Sequence, residues 1–220
     1  MLFGNNIDPV ELIARLIVLA ICFTVHEFAH AWTADMFGDD TPRQYGRLTL
    51  NPLAHLDPWG SIMLLIFRFG WAKPVPINPY VLGRRSPLAV MWVSLAGPFS
   101  NFLMAVLAAI PFRVMQISPG FAMFMENQSF LYTLLIDFLI INLSLMLFNL
   151  LPIAPLDGSK IAVAVLPESW GRVVEQTATY GPIILMAVIF LGPRVGIDLF
   201  GMVINPVMRN LLILLVGYGA

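Results

Sequence analysis

Two histidines stand four positions apart in the run His26-Glu27-Phe28-Ala29-His30. On a helix that spacing sets the imidazoles about 40° apart around the axis and one turn apart along it, so both reach one metal ion. Glu27, one position after His26, points to the flank of the pair, where its carboxylate can meet a metal-bound water without being a ligand. Such a set would perform hydrolysis. Zinc held by three protein groups keeps a fourth position for water, lowers the pKa of that water to about 7 and polarises a carbonyl, while the carboxylate moves the proton. The ordinary alternative is a pair of interior histidines satisfied by helix neighbours. It fits poorly, because the three groups fall in an apolar stretch long enough to cross a membrane, where ionisable residues are costly and mark function. The whole chain holds only three histidines, so the spacing does not come from histidine abundance.

A third ligand is required, and the candidates are Cys22, His55, Asp57 and Asp157. Cys22 shares the face of His26, but the helix from Cys22 to His30 rises about 12 Å, whereas zinc bonds are about 2.0–2.3 Å long. Cys22 therefore reads as a small buried hydrophobe. As the lone cysteine it also excludes an internal disulfide framework or a multi-thiolate cluster. His55 and Asp57 sit in the turn-rich run Asn51-Pro52-Leu53-Ala54-His55-Leu56-Asp57-Pro58, and either could reach back to the helix. Asp157 has the stronger case. It follows Asn149-Leu150-Leu151-Pro152-Ile153-Ala154-Pro155-Leu156, where prolines break a hydrophobic helix, and unwound backbone at membrane depth persists only where protein buries it or water lines it. An N-cap on the following helix is the competing role for Asp157.

The elements that must carry these residues follow from composition. Of 220 residues, 59% are hydrophobic and 11% are charged, too little charge to cover a soluble domain. Twelve basic and thirteen acidic residues give a net charge of −1; with no basic run or basic-aromatic stripe, nucleic acid is not an expected partner. A crossing helix needs about 20 apolar residues, which predicts spans near 10–33, 88–112, 129–151, 177–193 and 197–217. The expected fold is an all-α polytopic membrane protein with five to six transmembrane helices, embedded in the lipid bilayer. Ile62–Phe67 is too short to cross alone and is followed by Arg68, Gly70, Lys73, Pro74, Pro76 and Pro79. It predicts a short re-entrant or interfacial element with an extended, β-like segment after the first span. Gly97-Pro98 should break or bend the second full span, with Asn101 one turn further on, as close packing beside the site or as interhelical hydrogen bonding. Arg15 and Asp137, single charges within spans, are candidates for an ion pair.

Orientation follows from basic residues. Arg43, Arg47, Arg68, Lys73, Arg84 and Arg85 fall between the first span and the next full one, whereas the 113–128 connection offers only Arg113. The long connection should face the cytoplasm, with the start of the chain outside a cell membrane. Span 88–112 then runs outward, 129–151 returns, and Pro152–Gln176, carrying Lys160 and Arg172, is cytoplasmic again. Asp157 thus returns to the side of His30; had Ile62–Phe67 been a crossing, it would emerge on the opposite face. Asp8 and Glu11 precede Arg15 with no Lys or Arg before it, so the first span is expected to be retained rather than cleaved as a signal. With no repeat or low-complexity tract, residues 1–220 are expected to form a single membrane-embedded domain, its catalytic core over about 10–160 and its last helices over about 177–217.

These residues resemble the site-2 protease family, the zinc intramembrane metalloproteases, in the compact form without a PDZ or CBS domain. The resemblance rests on His26-Glu27-Phe28-Ala29-His30-Ala31, on the Asn51–Pro58 run, on Gly70-Trp71-Ala72-Lys73-Pro74-Val75-Pro76, on Ala96-Gly97-Pro98-Phe99-Ser100-Asn101, and on Phe148–Pro152 through Asp157-Gly158. It is weak beyond Lys160. It implies that His26, His30 and Asp157 bind one Zn2+ per chain, that Glu27 is the catalytic base and acid, and that Asn149 helps position the scissile segment or its oxyanion. Ala154 stands where relatives often have proline, which leaves the ligand untouched. The implied activity is hydrolysis of a peptide bond in or near the transmembrane helix of single-span membrane proteins. A helical substrate must unwind first, and Trp71–Tyr80, kept extended by prolines, could pair with it edge to edge or be a plain loop packed on the bundle. The alternative is a membrane transporter or metal channel using the His/Glu cluster as an ion site, which requires further polar residues in the outer half, where mainly Arg15 and Asp137 are available. Nothing in the sequence sets an oligomeric state.

Overall fold

Prolines open most of the helices of this chain, because their fixed φ and missing N–H suit the first helical position. The computed structural model describes residues 9–67, 70–196, 198 and 200–217; Asp8, used above for the retention of the first span, and Arg68, used for orientation, lie outside the described residues. Helix α1 (Pro9–Met36) is 28 residues long, about 42 Å, and exceeds the roughly 30 Å hydrocarbon core. Gly38, at φ 88, stops it: the Asp39 N–H donates to the Ala34 carbonyl at 3.0 Å and the Gly38 N–H to the Asp35 carbonyl at 2.9 Å, the double bond that a left-handed C-terminal glycine permits.

Short helices α2 (Thr41–Gln44) and α3 (Pro52–His55) follow, then α4 (Pro58–Phe67). The Asp57 carboxylate accepts the Gly60 N–H at 2.8 Å and caps α4. With 10 residues, α4 extends about 15 Å, half a bilayer core, so it makes no crossing. The chain returns beside it. An isolated antiparallel bridge joins Leu56 to Ala72, and the Lys73 N–H donates to the His55 carbonyl at 2.8 Å. Gly60 has room for no side chain there, since a Cβ would lie 3.0 Å from the Trp71 carbonyl carbon and closer still to its oxygen. The expected β-like segment is thus extended chain with one bridge and, among the described residues, no strand; Pro74 and Pro76 remove the donors a ladder would need.

Helix α5 (Pro79–Arg85), capped by Asn78, leads into α6 (Ala89–Ile117). Of the expected break or bend at Gly97-Pro98, the break does not occur: α6 continues through both Pro98 and Pro111. Then come α7 (Pro119–Asn127), α8 (Ser129–Asn149), α9 (Asp157–Val165), α10 (Glu168–Thr177), α11 (Gly181–Phe190) and α12 (Asn205–Val216). Among the described residues, four helical stretches are long and apolar enough to cross a membrane: Leu12–Met36, Ala89–Ile117, Phe130–Asn149 and Glu168–Phe190. The apolar stretch that covers the span expected at 177–193 starts earlier, at Glu168, because the chain stays helical from α10 through a short turn into α11. The span expected at 197–217 is the shorter apolar helix Gly201–Val216. An all-α polytopic membrane protein is what these elements build.

Helix α6 is the central element, packed between α1 and α8. Contacts fix the directions. On α1 and α8, Arg15 meets Asp137, with Nε and Oδ2 2.7 Å apart, and Val18, Leu19 and Cys22 meet Ile141 further along, so the two run parallel. Helix α6 runs against them, since His26 meets Asn101 and His30 meets Val93. Ala105, Ala108 and Ala109 let α6 approach Leu139, Leu143 and Met146 of α8 closely. Helix α12 joins this core, and Arg113 and Gln116 of α6 take the carbonyls of Leu214, Leu215 and Val216 at its end, which would otherwise lack partners. The Arg15–Asp137 pair is largely buried, so removing one partner strands a charge, at a cost of about 3–5 kcal/mol, while removing both is far milder. Thermal unfolding in detergent is expected to place Arg15→Met well below the Arg15→Met/Asp137→Leu double variant.

Candidate metal centre

His26 and His30 project from α1 one turn apart, their rings 4.7 Å between centroids and crossed at 83°. Each ring is held from its far side. His30 Nδ1 stands 2.6 Å from the Val93 carbonyl, and His26 Nδ1 stands 2.5 Å from Asn101 Oδ1. A carbonyl only accepts, so His30 carries its hydrogen on Nδ1. Asn101 donates through Nδ2 to Asn142 Oδ1 at 2.9 Å, which leaves its Oδ1 as the acceptor for His26 Nδ1–H. Asn142 in turn donates to the Phe138 carbonyl at 2.8 Å. Two α6 groups and one α8 side chain therefore set both tautomers.

With both Nδ1 atoms protonated, the two Nε2 atoms of neutral imidazoles are lone pairs. They face each other at 3.0 Å, and Asp157 Oδ2 lies 3.2 Å from each. With both imidazoles neutral, three converging acceptors repel, and a shared cation would turn that repulsion into binding. Ligand atoms on tetrahedral zinc, with bonds of about 2.0–2.2 Å, stand about 3.3–3.6 Å apart, within a few tenths of an ångström of what is found. All three residues are buried. The donor set fits Zn2+.

Asp157 arrives from the first turn of α9, whose N-cap is Leu156, so the capping role does not account for it. Its position depends on the break after α8 folding back on itself: a Cβ on Gly158 would lie 2.4 Å or less from the Leu150 carbonyl group. Lys160 Nζ lies 3.9 Å from the other oxygen, Oδ1. The remaining candidates for third ligand are elsewhere. His55 is buried with Nε2 on the Thr49 carbonyl at 2.8 Å, Asp57 caps α4, and Cys22 is packed in the α1–α8 core. Among the described residues, the group of His, Cys, Asp and Glu able to share an ion is His26, His30 and Asp157.

Glu27 is buried beside this group, and its Oε2 accepts the Val75 N–H at 3.1 Å. The extended segment after α4 thus lies against the carboxylate. Asn149 is half-buried and donates to the Leu145 carbonyl at 3.0 Å, one turn back in α8. Gly97 is the close-packing position expected from the sequence, and its role is specific: a Cβ would sit 2.6 Å from His26 Nε2 and closer to His30 Nε2. Those rings cannot retreat, being pinned on Nδ1. Gly97→Ala is expected to lower zinc affinity by at least about 10–100-fold even though alanine favours helix over glycine by about 1 kcal/mol; zinc content after gel filtration, read beside helix content, measures it. Asn101, read earlier as interhelical hydrogen bonding, serves that end and orients His26. Asn142 was legible only as a costly polar residue in an apolar span, and the Val93 carbonyl and Val75 N–H are backbone groups with no side-chain signature.

Residues 111–192 match the model of Peptidase family M50. The chain is 40% identical over 186 residues to "Putative zinc metalloprotease YwhC" of Bacillus subtilis, covering 84% of each protein. It is 32% identical over 178 residues to "Putative zinc metalloprotease Rip2" of Mycolicibacterium smegmatis, covering 78% of this chain and 64% of that one. To the protein of the same name from Mycobacterium tuberculosis it is 29% identical over 214 residues, 92% of this chain and 77% of the relative. No solved structure matches it.

Proposed function

From the premise that this chain belongs to peptidase family M50 and is a zinc metalloprotease, we propose that it is an intramembrane endopeptidase. It hydrolyses a peptide bond in or near the transmembrane helix of membrane-anchored proteins, with single-span proteins as the substrates. The supporting observation is the convergence of His26, His30 and Asp157, all buried, at one end of helices long and apolar enough to cross a bilayer. The site faces the cytoplasm, as the basic residues Arg43, Arg47, Lys73, Arg84 and Arg85 near the His30 end suggest. Residues 1–220 act as one domain, with the catalytic core over about 10–160.

His26 and His30, through Nε2, and Asp157, through its carboxylate, would hold the zinc. Zinc supplies a Lewis acid and lowers the pKa of water to about 7 when bound. Glu27 takes a proton from the attacking water and returns one to the leaving amine. The Val75 N–H fixes the Glu27 carboxylate from one side, and Asn101 and the Val93 carbonyl keep both imidazoles in the tautomer that presents Nε2. Asn149, at the end of α8, helps position the scissile segment or its oxyanion. The transporter reading needs a polar path through the far half of the bundle, yet Arg15 and Asp137 close on each other there.

The test is incubation of zinc-loaded protein in nanodiscs with single-span proteins, cut positions being read by mass spectrometry. Cuts within or a few residues from the span are expected. Equal cleavage of an unfolded soluble protein would sink the intramembrane assignment, and zinc flux across sealed vesicles without proteolysis would favour the transporter.

A further inference from the structure

Two buried side chains between α2 and α4 take no part in that scheme. Arg47 is 3% exposed; its Nη2 donates to the Lys73 carbonyl, while its Nε–H and Nη1–H have no partner. His55 is 0% exposed, and its Nε2 stands 2.8 Å from the Thr49 carbonyl. Because a carbonyl only accepts, Nε2 carries the hydrogen and Nδ1 is a bare lone pair, also without a partner. Burial, foremost, holds the His55 imidazole below its ordinary range, and the Arg47 charge pushes the same way. Both residues are stitched to the surroundings of Glu27. The Lys73 N–H donates to the His55 carbonyl at 2.8 Å, the Lys73 carbonyl takes Arg47, and two residues on, the Val75 N–H donates to Glu27. Arg47 and His55 lie within electrostatic reach of each other and of the Glu27 carboxylate.

The unpaired atoms limit what could satisfy both residues at once. An anion would satisfy Arg47 but meet the His55 lone pair and Glu27. A metal ion would suit His55 but face the guanidinium. A peptide segment cannot enter among side chains so fully covered. Water both accepts and donates, and buried waters typically make about three hydrogen bonds to groups of this kind.

We propose that Arg47 and His55 form a buried water site beside Glu27, in which the water accepts from Arg47 and donates to His55 Nδ1. This inference rests on Glu27 being the general base. Hydrolysis consumes one water per bond, its oxygen ending on the new carboxylate and its hydrogens shared between the two new termini, so a buried site must be refilled each turnover. The held water orients and replaces the one that Glu27 deprotonates. Arg47 and His55 are positioning residues that act through water.

Two substitutions at His55 separate this role from a structural one. His55→Gln sets an amide nitrogen where Nε2 stood, keeping the bond to Thr49 and deleting the Nδ1 acceptor; His55→Asn does the reverse. His55→Gln is expected to lower kcat by about 10-fold or more, with KM within about twofold and zinc content unchanged. His55→Asn is expected to keep kcat within about threefold despite a lower thermal midpoint. An experimental structure of the zinc-loaded protein should show a water on His55 Nδ1 and Arg47 that is lost in His55→Gln. The reverse kinetic pattern, or no such water in the wild type, overturns the proposal. Glu27→Gln run alongside keeps the failures apart. If it still cleaves, the assignment of the base falls and this inference with it; if it is silent while His55→Gln matches wild type, only the water site falls.

Discussion

Glu27→Gln is expected to reduce peptide hydrolysis by about 10²–10⁴-fold in kcat, the range a positioned general base contributes, with zinc content unchanged. Glutamine has the shape of glutamate, and its amide oxygen can still accept the Val75 N–H that Glu27 Oε2 accepts at 3.1 Å. The segment over the site therefore stays in place, and His26, His30 and Asp157, the proposed metal ligands, are untouched. What is lost is proton acceptance, so the change falls on kcat rather than KM. Purified variant and wild type, compared for bound zinc by elemental analysis and for turnover of a single-span protein, decide it. Retained turnover would remove Glu27 from the mechanism. Loss of zinc together with turnover would make Glu27 part of the metal site instead.

The second large effect is at Asp157. Asp157→Ala leaves two imidazole nitrogens 3.0 Å apart and no carboxylate, and two neutral ligands do not hold zinc as three groups with one negative charge do. Zinc affinity is expected to fall by more than the roughly 10–100-fold typical of losing an outer-shell partner. Asp57→Asn and His55→Asn, at the two other positions once eligible as third ligand, are expected to keep their zinc, because Asp57 caps α4 and His55 turns its Nε2 to Thr49. A chelator gives a second readout. Ligand bound to the folded state stabilises it by mass action, so stripping zinc should lower the thermal midpoint of the wild type and leave Asp157→Ala nearly unmoved. A chelator shift of equal size in both proteins would place the stabilising metal elsewhere.

The local features of this protein were legible residue by residue. The spacing of His26 and His30 dictates a shared face on any helix, the lengths of the apolar runs dictate crossings, and the small side chain of Gly97 announced close packing before the rings against it were known. Helix ends and span number were less legible. A charged stretch such as Glu168–Thr177 stays helical because it continues into an apolar helix, which composition over a short window does not reveal. Asp157 could be ranked above His55 and Asp57 by its proline-broken setting, but its placement depended on whether α4 crosses, a parity question. Only the packing of α1, α6 and α8 answered it, by bringing the chain back to the His30 end after α8.

Tertiary structure alone assigned the partners that make the site work. The Val93 carbonyl, the Val75 N–H and the Thr49 carbonyl belong to every peptide unit and carry no residue identity. Asn101, Asn142 and Arg47 are ordinary polar letters until distant helices and an extended segment bring their acceptors and donors within reach. Periodicity encodes one element at a time, because it reports which side of a helix is apolar; which groups from separate elements meet is set by how those sides pack.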